Sequence, residues 1–173
     1  MQTQQAALGG HPDLPRRRVA TPAAIRLADA CPPHNILLDV PVESATQLFD
    51  LAARYIERGI GVPAERIRTE LIRREQLGST GLGQGVAIPH ARIDGLGSAV
   101  ALFVRALYPF AFNAPDRKPV CEFIVLALPK ADDRAQLELL ADAARCFSDR
   151  PFRQASRDAL TPDEIHRLMQ RTH

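Results

Sequence analysis

The sequence predicts an α/β sandwich, and two observations support this fold class. Three strand-like runs, at residues 85–91, 99–107 and 120–129, follow one another in the middle of the chain. Segments with apolar residues at helical spacing lie before and after these runs. The run at 120–129 is apolar apart from Glu122, as expected of a strand that helices cover on both faces.

The N-terminal part of the chain contains only short predicted elements. Residues 1–22 are rich in Gln, Gly, Pro and Arg without apolar periodicity, so we predict a disordered tail. A short helix is predicted at 22–30 and an extended segment at 35–40. No internal repeat or second unit is visible, so residues 23–173 are predicted to form a single domain.

Two longer helices are predicted before the strands. The first covers 45–58, with Ser44 as its N-cap and Gly59 at the left-handed position after its end. The second covers 63–76 and has Pro63 in its first turn. Both carry apolar residues along one side, which is typical of helices packed on a sheet.

Two more helices are predicted after the last strand. The first, at 133–148, has apolar residues along one side. The second, at 162–171, begins with a capping box formed by Thr161 and Glu164.

Composition excludes several classes of function. The 22 basic and 20 acidic residues give a net charge of only +2 without a long basic run, so a nucleic-acid partner is not indicated. No stretch approaches the roughly 20 apolar residues of a membrane span. Cys31, Cys121 and Cys146 are widely spaced and match no metal-site pattern, so we predict free thiols in a cytoplasmic protein without a metal or cofactor.

One stretch of the chain, REQLGSTGLGQGVAIPHAR at residues 74–92, combines four glycines with a single histidine, His90. It lacks the Gly-Lys-Ser/Thr ending of a nucleotide phosphate loop and the glycine spacing of a dinucleotide-binding turn. Ser79 does not stand in a Gly-x-Ser-x-Gly nucleophile pattern. The histidine also has no second histidine or cysteine at zinc-ligand spacing.

The groups that remain in this stretch are suited to an anion. Glycine backbones can present N–H donors, Ser79 and Thr80 add hydroxyls, and Arg74 and Arg92 offer planar guanidinium groups. A neutral imidazole at His90 can attack a phosphoryl group. The residue types alone leave two interpretations open: a structural histidine hydrogen-bonded at a strand end, and a nucleophile beside an anion site.

The same stretch resembles the signature of the enzyme IIA domain of the bacterial phosphotransferase system, fructose/mannitol type. It is most similar to the nitrogen-regulatory branch of that family. The resemblance continues through FNAPDRKPV at 112–120 and through residues 125–149, and it spans about 23–171.

The resemblance implies a three-layer α/β/α sandwich with a mixed sheet. It also implies that His90 is phosphorylated on the Nε2 (tele) nitrogen by a histidine-phosphorylated carrier protein, which an enzyme I charges from phosphoenolpyruvate. The residues expected to bind the phosphate lie in the loop and beside it: Arg74, Ser79, Thr80, Gly81 and Arg92.

Two positions depart from the family pattern. Ala91 stands where the family usually has glycine, which would be strained if that site requires a positive φ. Gln136 stands where the family usually has a second histidine facing the first. A glutamine amide can donate a hydrogen bond but cannot take up a proton, so we expect the rate and pH dependence of phosphotransfer to differ from family norms.

The leading functional prediction is a phosphocarrier that regulates target proteins according to its phosphorylation state. One alternative is a sugar-specific component that feeds a permease. Another, prompted by Ala91 and Gln136, is a binding module without phosphotransfer. A small-anion or nucleotide-binding enzyme has little support because the sequence shows no second catalytic group.

Overall fold

A mixed six-stranded sheet forms the middle layer of the protein. The computed structural model describes residues 25–131 and 133–172, so the tail predicted at 1–22 lies outside the described residues. Helices pack on both faces of the sheet, which confirms the α/β/α sandwich. Within the described part of the chain, no helix has the length and apolar character needed to cross a membrane.

The elements follow one another in a simple order. They are α1 (Leu27–Ala30), a 3-10 helix (Pro33–Asn35), β1 (Ile36–Val40), α2 (Ala45–Ile60), α3 (Ala64–Gln76), β2 (Gly81–Gly83), β3 (Val86–Ala87), β4 (His90–Ile93), β5 (Val100–Phe110), β6 (Val120–Pro129), α4 (Asp133–Ser148), α5 (Arg150–Asp158) and α6 (Pro162–Arg171). The sheet order is β1-β5-β6-β3-β2, and β4 also pairs with β6. Strands β5 and β6 are antiparallel, whereas β3 and β4 both run parallel to β6.

Strand β6 separates the two halves of the core. Alternate residues point to opposite faces of a strand. One set packs under α2 and α3: Phe123, Val125 and Ala127. The other set packs under α1 and the three C-terminal helices: Ile124, Leu126 and Leu128. All six are buried, as predicted for a strand covered on both faces.

The ends of α2 only partly match the prediction. Ser44 caps the N-terminus, where its hydroxyl accepts the N–H of Gln47. The predicted C-terminal residue was wrong, because the helix continues through Gly59. Gly61 takes the left-handed conformation instead, with φ at 71°, and its N–H donates to the carbonyl of Glu57.

The strand predicted at 85–91 is two strands rather than one. Pro89 lacks an N–H to donate and separates β3 from β4. Its carbonyl still accepts the N–H of Leu126, so the chain stays attached to β6 across the break. As a result His90 begins a new strand.

Buried Arg105 on β5 connects three parts of the fold. Its Nε and Nη2 donate to the two carboxylate oxygens of Asp39, at 2.8 and 2.9 Å. Its Nη1 donates to the carbonyls of Ser156 and Ala159, each at 2.8 Å, and of Arg157 at 3.2 Å. The end of α5 is therefore held to the sheet by one guanidinium group.

Glu122 lies directly across the sheet from Arg105 and is completely buried. Within residues 25–131 and 133–172, neither of its carboxylate oxygens has a hydrogen-bond partner. The Nε of Arg157 is 3.7 Å from Oε2. Burial raises the pKa of Glu122, and the nearby Ser156 side chain and the neighbouring arginines only partly oppose this effect.

We expect Glu122→Gln to flatten the pH dependence of stability between about pH 5 and pH 8. Because folding raises the pKa of Glu122, this group favours the folded state below its ordinary value of 4.5 and loses that contribution as the pH rises. At pH 8 the variant is expected to be more stable than wild type by about 1 kcal/mol. Urea unfolding at both pH values measures this, with Glu138→Gln on exposed α4 surface as control. Equal pH dependence of wild type and Glu122→Gln would contradict the prediction.

Candidate functional site

His90 sits at the edge of the sheet, where three segments meet. It is the first residue of β4, lies in register with Leu126 of β6 and is half-buried. Helix α3 packs against β4 and ends at Gln76. The glycine-rich loop that follows α3 forms the short β2–β3 hairpin before the chain reaches the histidine.

Hydrogen bonds to both ring nitrogens fix the tautomer of His90. The Nδ1 atom is 2.9 Å from the carbonyl oxygen of Ile88, which can only accept. The Nε of Arg74 lies 3.2 Å from Nε2 and can only donate. The neutral ring therefore carries its proton on Nδ1 and leaves a lone pair on Nε2.

The surroundings of His90 favour this neutral form. Burial is the main cause that lowers its pKa, and the positive charge of Arg74 lowers it further. The Ile88 carbonyl and the Glu75 carboxylate act in the opposite direction. With the pKa below its ordinary value, the imidazole is mostly unprotonated at neutral pH and available as a nucleophile.

An open cavity of about 290 Å³ lies in front of the histidine. Three of the predicted site residues line it: Arg74, His90 and Arg92. Arg92 is largely exposed and pairs with Asp133 at the start of α4, at 2.8 Å. Arginine side chains thus line the cavity together with the imidazole, and Arg74 contacts the ring directly. Guanidinium groups are suited to an anionic ligand.

Ser79 and Gly81 contact the connection between β5 and β6 and do not line this cavity. The Ser79 hydroxyl donates to the carbonyl of Phe112 and accepts the N–H of Gly81. A Cβ atom at Gly81 would lie 2.9 Å from the Cα of Ala114, so the close approach of two backbones excludes a side chain there. A role of these two residues in phosphate binding stays a prediction.

Thr80 is bound to a residue that sequence reasoning missed, Glu75. The carboxylate of Glu75 accepts the N–H of Thr80 at 3.0 Å and its hydroxyl at 2.6 Å. The one sequence signal for Glu75 is its charge, because an acidic residue in the last turn of a helix opposes the helix dipole and needs a local partner. A phosphate-binding role for Thr80 also stays a prediction.

The structure shows the surroundings of Ala91 and Gln136, the two residues that depart from the family pattern. Ala91 lies in β4 in register with Ala127 and does not have a positive φ, so its side chain causes no backbone strain. Gln136 is 3% exposed, and its amide donates to the carbonyl of Pro129. Pro129 lies three residues beyond the register partner of His90, about 10 Å along the strand.

Comparison with known protein families identifies the family of the chain. Residues 30–172 match the family described as phosphoenolpyruvate-dependent sugar phosphotransferase system, EIIA 2. The chain belongs to this family. The resemblance to the enzyme IIA domain is thereby confirmed over nearly the whole described chain.

Relatives of this EIIA protein include both regulatory and sugar-specific members. A nitrogen regulatory protein of Pseudomonas aeruginosa is 33% identical over 146 residues, which are 84% of this chain and 95% of that protein. The crystal structure of the nitrogen regulatory protein IIA-Ntr from Neisseria meningitidis is 36% identical with a TM-score of 0.79, covering 83% of this chain and 98% of that one. A fructose-like EIIA component of Escherichia coli is 27% identical and covers 61% of this chain and 71% of that protein.

Proposed function

We propose that this EIIA protein is a phosphocarrier of the nitrogen-regulatory type, which accepts a phosphoryl group on Nε2 of His90. The observation that carries the proposal is the pair of hydrogen bonds to the ring. Ile88 holds the proton on Nδ1, and Arg74 directs a guanidinium group to the free nitrogen. Membership of the EIIA family and the similarity to nitrogen regulatory proteins support the same role.

In the proposed transfer, the lone pair of Nε2 forms a bond to the phosphorus of a phosphohistidine on a carrier protein. The bond between phosphorus and the carrier's ring nitrogen breaks, and its electron pair returns to that ring. The Nδ1 proton of His90 stays in place, and the Ile88 carbonyl stabilises the positive charge that develops on the ring. Such a loose transition state requires positioning and charge stabilisation, which Arg74 can supply.

Phosphorylation then changes the surface that partners meet. A phosphoryl group adds roughly −1.5 to −2 charges near neutral pH. The cavity mouth otherwise carries the arginines at 73, 74 and 92 together with Glu70. We therefore propose that regulatory target proteins bind the two forms with different affinity, while a histidine-phosphorylated carrier acts upstream.

A phosphorylation assay tests the proposal directly. The protein is incubated with phosphoenolpyruvate, enzyme I and the small histidine-phosphorylated carrier. We expect an acid-labile phosphate on wild type and none on His90→Ala. His166→Ala, in α6 where the ring contacts the carbonyl of Ala28, serves as the matched control and is expected to be labelled normally. An unlabelled wild type would instead support a binding module without phosphotransfer.

A sugar-specific role is the second candidate, because a fructose-like EIIA component is among the relatives. It predicts that phosphorylated protein passes its phosphate to a fructose- or mannitol-type IIB domain. Transfer to such a domain at a rate comparable with that of its own IIA partner would favour sugar uptake over regulation.

Gln136→His is expected to alter the pH dependence of phosphoryl transfer. The substitution introduces a titratable ring where the family usually has one, so a new step in the rate is expected between about pH 5 and pH 8. Transfer from the phosphorylated carrier is measured across this range. Gln154→His on exposed α5 provides the control for an added histidine. An unchanged rate and pH profile in Gln136→His would show that the buried glutamine does not influence the site.

A further inference from the structure

Two consecutive residues at the end of α3 act on opposite nitrogens of the same imidazole. Arg74 contacts Nε2 of His90 directly. Glu75 reaches Nδ1 through a series of hydrogen bonds that crosses the glycine-rich loop. The proposed function uses the first of these residues and leaves the second without a role.

The series begins at the Glu75 carboxylate, which holds Thr80 by both its backbone N–H and its hydroxyl. The carbonyl of Thr80 accepts the N–H of Ile88 at 3.0 Å. The carbonyl of Ile88 then accepts the Nδ1 proton of His90 at 2.9 Å. Each bond fixes the backbone group that makes the next one.

We propose that Glu75 is a positioning residue for phosphoryl transfer, because it holds the loop in the place from which Ile88 keeps the His90 proton on Nδ1. This inference rests on the proposed function, in which Nε2 of His90 is the attacking atom. A nitrogen that carries a proton has no lone pair for attack, so control of the tautomer is control of the nucleophile.

Arg74 and Glu75 make separate sets of hydrogen bonds. The two side chains have opposite charge and adjacent positions, yet the guanidinium of Arg74 bonds to His90 and to the carbonyl of Gly78. The carboxylate takes both of its hydrogen bonds from Thr80 instead. Consecutive helical residues do not face each other, so the two side chains bind different partners.

The experiment compares substitutions that break the series with conservative ones that keep it. Glu75→Ala removes the acceptor, and Thr80→Val removes only the hydroxyl bond. Glu75→Gln retains a carbonyl acceptor for the Thr80 N–H but loses the charge. Glu65→Ala, in the exposed first turn of the same helix, is the control.

Two quantities are measured for each variant. The ring nitrogen chemical shifts of His90 in the unphosphorylated protein report the tautomer. The rate of transfer from the phosphorylated carrier reports function. We expect Glu75→Ala to lose the pure Nδ1–H tautomer and to slow transfer about 10- to 100-fold, the loss seen when a group that orients a metal-ligating histidine is removed. Thr80→Val is expected to change both quantities in the same direction and by less, and Glu75→Gln and the control to stay close to wild type.

Several results would overturn the inference. One is an unchanged Nδ1–H tautomer in both Glu75→Ala and Thr80→Val. Another is a loss of rate in Glu75→Gln as large as in Glu75→Ala with the tautomer retained, which would assign the effect to charge rather than position. If wild type takes up no phosphate, the proposed function fails, and the nitrogen shifts still decide whether Glu75 sets the tautomer.

Discussion

Replacing Arg105 with methionine is expected to lower the free energy of unfolding by about 3 kcal/mol. The substitution removes a buried cation that makes a bidentate ion pair with Asp39. It also removes three hydrogen bonds to carbonyls at the end of α5. The carbonyls of Ser156 and Ala159 are buried and would lose this donor. Urea unfolding at pH 7 measures the loss. A matched substitution, Arg134→Met, removes an exposed pair with Glu138 and should cost no more than about 0.5 kcal/mol.

The same ion pair predicts how the loss depends on pH. The hydrogen bond from Arg105 lowers the pKa of Asp39, so the pair contributes to stability above the ordinary aspartate pKa and loses this contribution as the pH falls through the lowered value. The difference between wild type and Arg105→Met should therefore shrink in acid. If the difference in unfolding free energy between wild type and Arg105→Met were the same at pH 7 and in acid, the pair with Asp39 would not contribute. The stabilisation would then come from the hydrogen bonds of Arg105 to the α5 carbonyls alone.

The bounds of α4 and α6 match the sequence prediction, and local chemistry sets the N-terminus of α6. The capping box of Thr161 and Glu164 begins α6 as expected. Helix α5 was missed because only Phe152 and Ser156 among its residues are buried. It is ordered by a cap from Asp149 and by Arg105, and the latter contact joins residues more than 50 positions apart.

The candidate site, too, could be predicted from the sequence only in part. The resemblance to enzyme IIA placed His90 and Arg74 together, and the structure brings their side chains into contact. It could not show that the hydroxyl of Ser79 donates to Phe112 and that of Thr80 to Glu75. Those bonds depend on how the loop folds against α3 and the β5–β6 connection. The burial of Gln136 also depends on how α4 packs against β6, which no local pattern encodes.

Arg74→Gln is expected to slow phosphoryl transfer to His90 by about 10²- to 10³-fold, the usual cost of removing one preorganised donor from a developing negative charge. Two physical effects combine. The guanidinium can stabilise the phosphoryl oxygens in the transition state, and it also keeps protons away from Nε2 in the resting protein. Because the charge of Arg74 lowers the pKa of His90, the substitution should raise that pKa, although burial continues to hold it down.

These two effects can be separated by measuring the transfer rate and the titration of His90 over the same pH range. A protonation effect alone would disappear above the pKa of the histidine, whereas the loss of transition-state stabilisation persists at high pH. We therefore expect Arg74→Gln to remain slow at pH 8.5 and Arg74→Lys to recover only part of the rate, since an ammonium lacks the planar fork of arginine. Arg66→Gln, on the same helix and bonded only weakly to the Asp94 carbonyl, controls for the loss of charge. If the transfer rate of Arg74→Gln recovered fully at high pH, Arg74 would act only by lowering the pKa of His90.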